Sequence, residues 1–485
     1  MLCSSRSGYR FKIIVLAFLP LAGCSTLPPE EPFNQVAESV RAQIGKRISW
    51  DAGQYADPLV RSTIEKLLSR PLTPETAVQI ALLNNRELQS TYADLGIAQA
   101  NVMQAALWKN PIITGGVLFP ITGGGIDYIF DFVLRVIDIV YIPLRKQVAE
   151  SALEEAKFQV TARVMSIAGQ TYLAFIDYVG ERERVNVLRR AVESASAIVE
   201  SGKALRKAGN ITDFDFESQV ALQIQFAGEL SRAQLSAAEA RERVNRLLGL
   251  TGLQTQWRAP DRLPRISGRA PPLADVERTA IEASFDLGAI RQRLITMGRK
   301  YRVVDITSVL PKLDLGGRVD RNSGQDEAGP IFALELAVFD WGQARREAAR
   351  MEILKTRDEF TALAVRVRSF ARLQQAKLLS ARQIAVFYAN TVIPQAQRFL
   401  QAAEKQYEAM EVGLFDLLEI KEKQIRVSVE YVAALKAYWR ERVRLAQTLK
   451  GKLPDDADET RAAPAEPAAQ TTSSTVEAAI LGSQE

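Results

Sequence analysis

Histidine does not occur anywhere in this chain of 485 residues, and cysteine occurs only at Cys3 and Cys24. The first absence takes away the commonest general base and the commonest metal ligand. The second leaves no cysteine pair once Cys3 is removed with a leader segment, so neither disulfide nor thiol chemistry is expected in the mature protein. No G-x-S-x-G elbow, phosphate-binding glycine loop, dinucleotide-binding glycine pattern or calcium-binding loop is present. With them go the common catalytic and cofactor-binding constellations. An enzyme is therefore not expected, and neither is a cofactor or a bound metal. Charge of one sign is not in excess either. Lys and Arg number 62 against 57 Asp and Glu, a formal charge of +5, without the basic runs of a nucleic-acid-binding chain. Nor is there an uninterrupted apolar stretch of the roughly 18 residues that a membrane-spanning helix requires.

What is present begins at the N-terminus. Arg6, Arg10 and Lys12 precede a short apolar run, Ile13 to Leu21, and Leu21-Ala22-Gly23-Cys24 closes it. A positive start, an apolar run too short for a bilayer and small residues before its end make a secretory signal peptide over 1–23. The last four residues resemble the lipobox of bacterial lipoproteins. That implies cleavage before Cys24, acylation of its thiol and anchoring by covalent lipid. Ser25 resembles the pattern for sorting to the outer membrane, because retention at the inner membrane typically uses Asp there. Loss of Arg6, Arg10 and Lys12 takes the formal charge from +5 to +2. Residues 24–70, with Pro28-Pro29 and Pro32, read as a tether from the lipid to a helical body.

Long amphipathic helices dominate the rest. The first is expected from about Leu72 to Trp108, with Thr73 as N-cap, Pro74 at the first helical position and Asn110-Pro111 as its stop. The second is expected from about Leu144 to Lys207, on the order of 95 Å at 1.5 Å per residue, wider than any compact domain. Its apolar positions Ala149, Ala152, Leu153, Ala156 and Val160 follow three-four spacing, and its many small residues suit a coiled coil. A third runs from about Asp213 to Leu248 after Gly209-Asn210.

The pattern then starts again. Leu72 and Leu273, Asp215 and Asp416, Arg243 and Arg444, and Leu248 and Leu449 are each 201 residues apart. Together with the matching order of elements they indicate a duplicated unit, 71–250 and 272–450, joined by a linker over 251–271. The second unit has a helix ending near Lys300, a very long helix from about Gln343 to Tyr407 that Pro394 should kink, and a return helix from about Leu414 to Lys450. Residues 451–485, rich in Ala, Pro, Glu, Thr and Ser, have little to bury and read as a disordered tail.

Between the short and long helices of each unit, about 112–142 and 302–339, the sequence alternates with period two. Tyr128, Phe130, Phe132, Leu134 and Val136 oppose Asp127, Asp131 and Arg135, after a turn at Gly123-Gly124-Gly125. An earlier strand, about Ile112 to Phe119, alternates less clearly. Leu313, Leu315 and Val319 oppose Asp314 and Arg318. Asp320 to Gly329 reads as a loop, and Phe332, Leu334, Leu336 and Val338 continue over Pro330 to Asp340. Apolar-out, polar-in strands build membrane barrels, although a soluble hairpin pair with one buried face gives the same alternation. Four strands cannot close a barrel, which takes about eight, and an open sheet edge cannot sit in lipid. If these strands span a membrane, several protomers share one barrel and the long helices continue it as a tube.

The chain from about Pro71 to Lys450 resembles the TolC-type outer-membrane efflux channels, in their lipoprotein branch. The resemblance rests on Leu72-Thr73-Pro74-Glu75-Thr76-Ala77, Asn84-Asn85-Arg86-Glu87-Leu88, Phe339-Asp340-Trp341-Gly342-Gln343-Ala344-Arg345, and the run from Tyr407 to Glu419 around Gly413-Leu414-Phe415-Asp416. It implies a mainly α fold with a membrane β-barrel: a homotrimer in which each protomer gives four strands to a shared barrel and long helices to a periplasmic α-barrel. It implies a cell outer-membrane location, and a periplasmic adaptor and an inner-membrane pump as partners. Acidic residues after the helix–helix turn line the closed tip in the family; Asp416 and Glu419 match them, with Asp213 or Asp215 as the counterpart in the first unit. A threefold ring of carboxylates would attract cations, whereas single acids at helix N-termini merely stabilise the helix dipole. Met410 stands where the family usually has glycine, which predicts a tighter or shifted turn. The expected function is a passive exit duct for small molecules or ions. The exit duct of a protein secretion system shares this architecture, and a coiled-coil envelope lipoprotein without a pore would explain the helices and lipid but not the strands.

Overall fold

The computed structural model describes residues 30–51, 58–119, 121, 126–266, 274–309, 312–322 and 325–455. The leader, Cys24, the triple glycine at 123–125, Leu273 and the tail from 456 lie outside the described residues.

Two short helices, α1 (Glu30–Ile44) and α2 (Pro58–Leu68), precede the first long segment. That segment is two helices rather than the one expected, α3 (Pro74–Asn84) and α4 (Arg86–Ala106). Thr73 caps α3 as expected, accepting the Thr76 N–H at 3.3 Å. The break at Asn85 has a physical cause. Its Oδ1 accepts the Leu88 N–H at 3.1 Å and starts α4, while its Nδ2 donates to the Leu247 carbonyl at 2.8 Å. Asn84 Nδ2 donates to the Leu248 and Gly249 carbonyls at 2.9 and 2.8 Å. Two amides thus satisfy the last carbonyls of one helix and cap another, groups that a helix end otherwise leaves orphaned.

Strands β1 (Ile112–Leu118) and β2 (Asp127–Arg135) follow, then α5 (Asp138–Lys207) and α6 (Asp213–Leu248). Helix α5 starts six residues before the expected Leu144 and carries Pro143 as its sixth residue, inside the helix, where the ring leaves the Ile139 carbonyl without its usual donor. Its 70 residues span roughly 105 Å. In the second half, α7 (Val276–Ala283) and α8 (Phe285–Val309) break at Ser284, whose hydroxyl accepts the Leu287 N–H at 3.2 Å. Helix α8 runs nine residues past the expected end at Lys300. After β3 (Leu313–Asn322) and β4 (Gln325–Leu334) come α9 (Gln343–Phe387), a π-helical turn over Tyr388–Val392, α10 (Ile393–Glu408) and α11 (Leu414–Leu449). The π turn answers Pro394, which cannot donate to the carbonyl four residues back; one wider turn makes room for the ring without ending the helix.

The main core lies where these helices cross. Ile80, Leu82, Leu88, Tyr92 and Leu95 of α3 and α4 pack with Ile167 and Phe175 of α5, Val244 and Leu248 of α6, and Leu435 of α11. Trp257, in the segment between the halves, closes it, and the Arg241 guanidinium lies 4.4 Å over its ring while donating to the Thr255 and Trp257 carbonyls. Toward the far end, Val185, Leu188, Ala191 and Ala195 of α5 meet Phe226 and Ala233 of α6 and Ile425 and Val429 of α11. Small residues there let the helices approach closely. Ion pairs Arg440–Asp177 and Lys436–Glu181 fasten α11 to α5.

The strands form one antiparallel sheet in the order β1-β2-β3-β4. The loop expected over 320–329 is instead strand up to Asn322 and from Gln325, and the pair Arg321–Asp326 closes the hairpin with Nη2 2.7 Å from Oδ2. β4 leaves the ladder at Leu334, short of the expected Asp340. Among the described residues no helix is long and apolar enough to cross a membrane.

Candidate functional site

The two faces of the sheet differ in chemistry. Tyr128, Phe130 and Phe132 of β2 are exposed and alternate with half-buried Asp127, Ile129 and Asp131. Register places Ile113, Phe132, Gly317 and Pro330 in one cross-strand row, and Gly115, Phe130, Val319 and Ala328 in the next. Leu315, Phe332 and Leu334 extend this apolar, exposed face. On the other face Arg318 holds Asp131 through two bonds of 2.7 and 2.9 Å. Buried Asp314 lies between Arg135 at 3.5 Å and Lys312 at 3.2 Å. β1 and β4 are the edges of the sheet, each with one strand neighbour.

Below β4 the Phe339-Asp340-Trp341-Gly342 run turns the chain into α9. Asp340 Oδ1 accepts the Gly342 N–H at 2.8 Å, and its Oδ2 pairs with Arg345 at 3.0 Å. Gly342 has φ +74, and a Cβ there would run into Ser308 of α8. Only glycine meets both conditions. Phe339 and Trp341 remain exposed.

The acidic residues proposed from sequence lie at the two turns that lead into α6 and α11. The turns have one backbone pattern. Ala208, Gly209 and Asn210 donate to the carbonyls of Ala204, Arg206 and Leu205; Ala409, Met410 and Glu411 donate to those of Lys405, Tyr407 and Gln406. Every donor and acceptor in the second set is displaced by 201 positions, 208 to 409 through 210 to 411. Met410 does not tighten or shift its turn: it takes φ +60 where Gly209 takes +74. An L-residue in this region costs roughly 1–2 kcal/mol.

Each acid has a local partner. Asp213 pairs with Arg206 at 2.7 Å, and Asp215 accepts from the Thr212 hydroxyl at 2.7 Å. Asp416 accepts the Gly413 N–H at 3.3 Å, and Glu419 pairs with Lys423 at 2.6 Å. Asp215 and Asp416 thus act on helix N-termini, while Asp213, Asp416 and Glu419 stay exposed. The two turns sit at the same end of the molecule, because Leu418 and Ile425 of α11 meet Leu222 and Phe226 of α6 and Ile198 of α5 around one small recess. Within the chain the four carboxylates do not converge. Among the described residues no three acidic or cysteine side chains are grouped so as to hold a metal ion.

Sequence reasoning missed Arg206, which also pairs with Glu217 at 3.5 Å and lies 5.0 Å over the Phe216 ring. It placed Asp314 on the polar face of its strand without its two cations, and it missed Asp138; both are buried carboxylates that each face two cations. Each has one partner close in sequence, Arg145 or Lys312, and one that only the fold brings near, Lys109 or Arg135.

No family model matches the chain. It is similar to the cobalt-zinc-cadmium resistance protein CzcC of Cupriavidus metallidurans, 23% identical over 386 residues, 75% of this chain and 87% of that one. Its structure superposes on the CmeC outer membrane channel of Campylobacter jejuni with a TM-score of 0.68 at 15% identity, covering 79% of this chain and 86% of that one. The chain has the fold of the TolC-type outer-membrane efflux channels. CusC, with a TM-score of 0.66, 12% identity and coverage of 78% and 92%, has the same channel fold. So does VceC of Vibrio cholerae, at 0.63, 15%, 83% and 98%. Within this channel fold, the chain's sheet is the strand region, α3 to α6 and α7 to α11 are the helical region, and the acidic turns lie at the helical end remote from the strands.

Proposed function

We propose that this chain is the outer-membrane duct of an efflux system. Three protomers close one barrel, with β1 of each pairing with β4 of the next, and their helices continue it as a periplasmic tube. The observation that carries this reading is the sheet: an apolar exposed face, a charged opposite face and two edges with one neighbour each. In lipid every backbone donor and acceptor needs a partner, and a four-stranded sheet meets that condition only by sharing. The duplicated unit is supported by the displaced hydrogen-bond sets at the two turns. A periplasmic adaptor and an inner-membrane pump are its partners, and the pump supplies the energy. The likeness to a cobalt-zinc-cadmium resistance protein puts divalent metal cations first among the cargoes. Cys24 carries the lipid anchor.

The acidic turns form the gate. Three copies of Asp416 and Glu419, with Asp213 and Asp215 behind them, ring the tip and favour cations. Single-channel recording in planar bilayers tests this. The wild type conducts with cation preference and is blocked by multivalent cations. The double variant Asp416→Asn, Glu419→Gln keeps a cap acceptor at 416 but loses up to six charges per trimer, so block weakens and cation preference falls. Unchanged block and selectivity would place the gate elsewhere, and absence of any conductance would refute the channel.

A further inference from the structure

The corner where α4 gives way to β1 holds an unbalanced charge. Asp138, only 5% exposed, faces Lys109 Nζ at 3.7 Å and Arg145 Nη1 at 3.5 Å. No other carboxylate among the described residues pairs with either cation, so one carboxylate serves two positive charges. Both separations are too long for a good hydrogen bond. Arg145 Nε and Nη2 have no hydrogen-bond acceptor at all. A guanidinium in that state is costly, and a planar fork of donors is suited to phosphate oxygens.

Beside it lies a recess of about 500 Å³, lined by Asn101, Gln104, Trp108, Lys109, Asn110 and Arg145. Its wall offers three amide donors besides the cations, and no carboxylate lines it. Leu107 and Trp108 at its rim are 56% and 63% exposed. Strand β1 starts at Ile112, four residues after Trp108, so the recess lies at the level where sheet meets helical body. Exposed tryptophan beside basic residues is the composition of a membrane–water boundary.

We propose that this recess binds the phosphate of a glycerophospholipid headgroup, one per protomer, with Arg145 and Lys109 on the phosphate and Trp108 against the upper glycerol and acyl region. A phosphodiester carries one negative charge, which balances the surplus, and a modest side-chain rotation brings the free Arg145 nitrogens to it. The acyl chains then follow the apolar face that begins at Ile113. The proposal rests on the membrane reading of the sheet, which sets the recess at the periplasmic headgroup level.

The test uses the full-length protein purified in mild detergent, with phosphatidylglycerol retention read by native mass spectrometry and conductance recorded from the same preparation. Gln104→Glu sets a carboxylate in the recess at an exposed position, and Lys109→Gln removes the surplus while leaving the Asp138–Arg145 pair. The wild type is expected to keep one phosphatidylglycerol per protomer, and each variant to bind it at least tenfold more weakly while still conducting. Equal retention by conducting wild type and variants would overturn the site and leave the channel standing. Inorganic phosphate binding as tightly as the lipid would overturn the lipid assignment in favour of a soluble anion. Failure of the wild type to insert or conduct would refute the membrane reading and the lipid site with it.

Discussion

Met410 and Gly209 occupy equivalent places in two turns with the same backbone bonds, yet only one is glycine. Open space surrounds the Gly209 Cβ position, so Gly209→Ala carries backbone strain alone. We expect it to lower stability by about 1 kcal/mol. Met410→Gly should not destabilise, because relief of left-handed strain offsets the extra freedom glycine brings to the unfolded chain. Thermal denaturation of the two variants beside wild type checks both signs. The acids were legible in sequence as residues after a turn, and their capping and pairing were not, since Arg206 and Lys423 are among many basic residues on these helices. A second residue-scale prediction concerns Tyr172 and Glu75, whose side chains are 3.0 Å apart. Burial, with Glu75 beside it, pushes the Tyr172 hydroxyl up to about 12. Burial works against ionisation of Glu75, but hydrogen bonds from its own backbone, Thr73 and Tyr172, with Lys46 nearby, outweigh it and hold the carboxyl below its usual value. A raised tyrosine contributes stability that is whole below its unfolded value near 10 and is lost as pH rises toward 12. A lowered carboxyl contributes stability that is lost as pH falls through its folded value. Glu75→Gln should therefore bring the Tyr172 phenolate transition, isolated by difference from Tyr172→Phe in an absorbance titration, back toward 10. An unmoved transition would assign the whole shift to burial.

Among the elements, α6 was readable to the residue and α11 to within one residue at its end, because each starts at an acidic first turn. The split of α3 from α4 was not. Asn84 and Asn85 have no helix-breaking character strong enough to announce it, and their role depends on the end of α6 arriving beside them. The extent of β3 and β4 was misread for a related reason: Asp320, Arg321, Asp326 and Glu327 look like a loop, but a strand end beyond the apolar band tolerates charge on both faces. The Phe-Asp-Trp-Gly corner explains why a recognisable motif sits between strand and helix. Gly342→Ala should prevent close packing of α8 on α9, because its Cβ meets Ser308. Ser308→Gly removes that contact without restoring the φ of +74. The double variant should recover part, not all, of the lost thermal stability; full recovery would mean that the backbone at 342 is unstrained.

At the scale of the whole molecule, the presence and order of the long helices and the alternation of the strands were legible, and the strand count points to a shared barrel. The path of the helices around one another was not, because it depends on contacts such as Arg440–Asp177 and Lys436–Glu181 between residues more than 250 positions apart. The central claim is that one protomer's β1 pairs with another's β4. Within a chain these edges are separated by β2 and β3, roughly 14 Å at about 4.8 Å per strand, too far for a disulfide. The direct measurement is oxidative cross-linking of full-length protein in outer membranes, with one cysteine at Gly115 of β1 and a second at Ala328, Pro330 or Phe332 of β4 in turn, all on the apolar face. The account predicts that at least one combination yields covalent dimers and trimers and nothing larger. Monomer alone at all three positions, from protein whose solubilised mass is that of one chain, would contradict it.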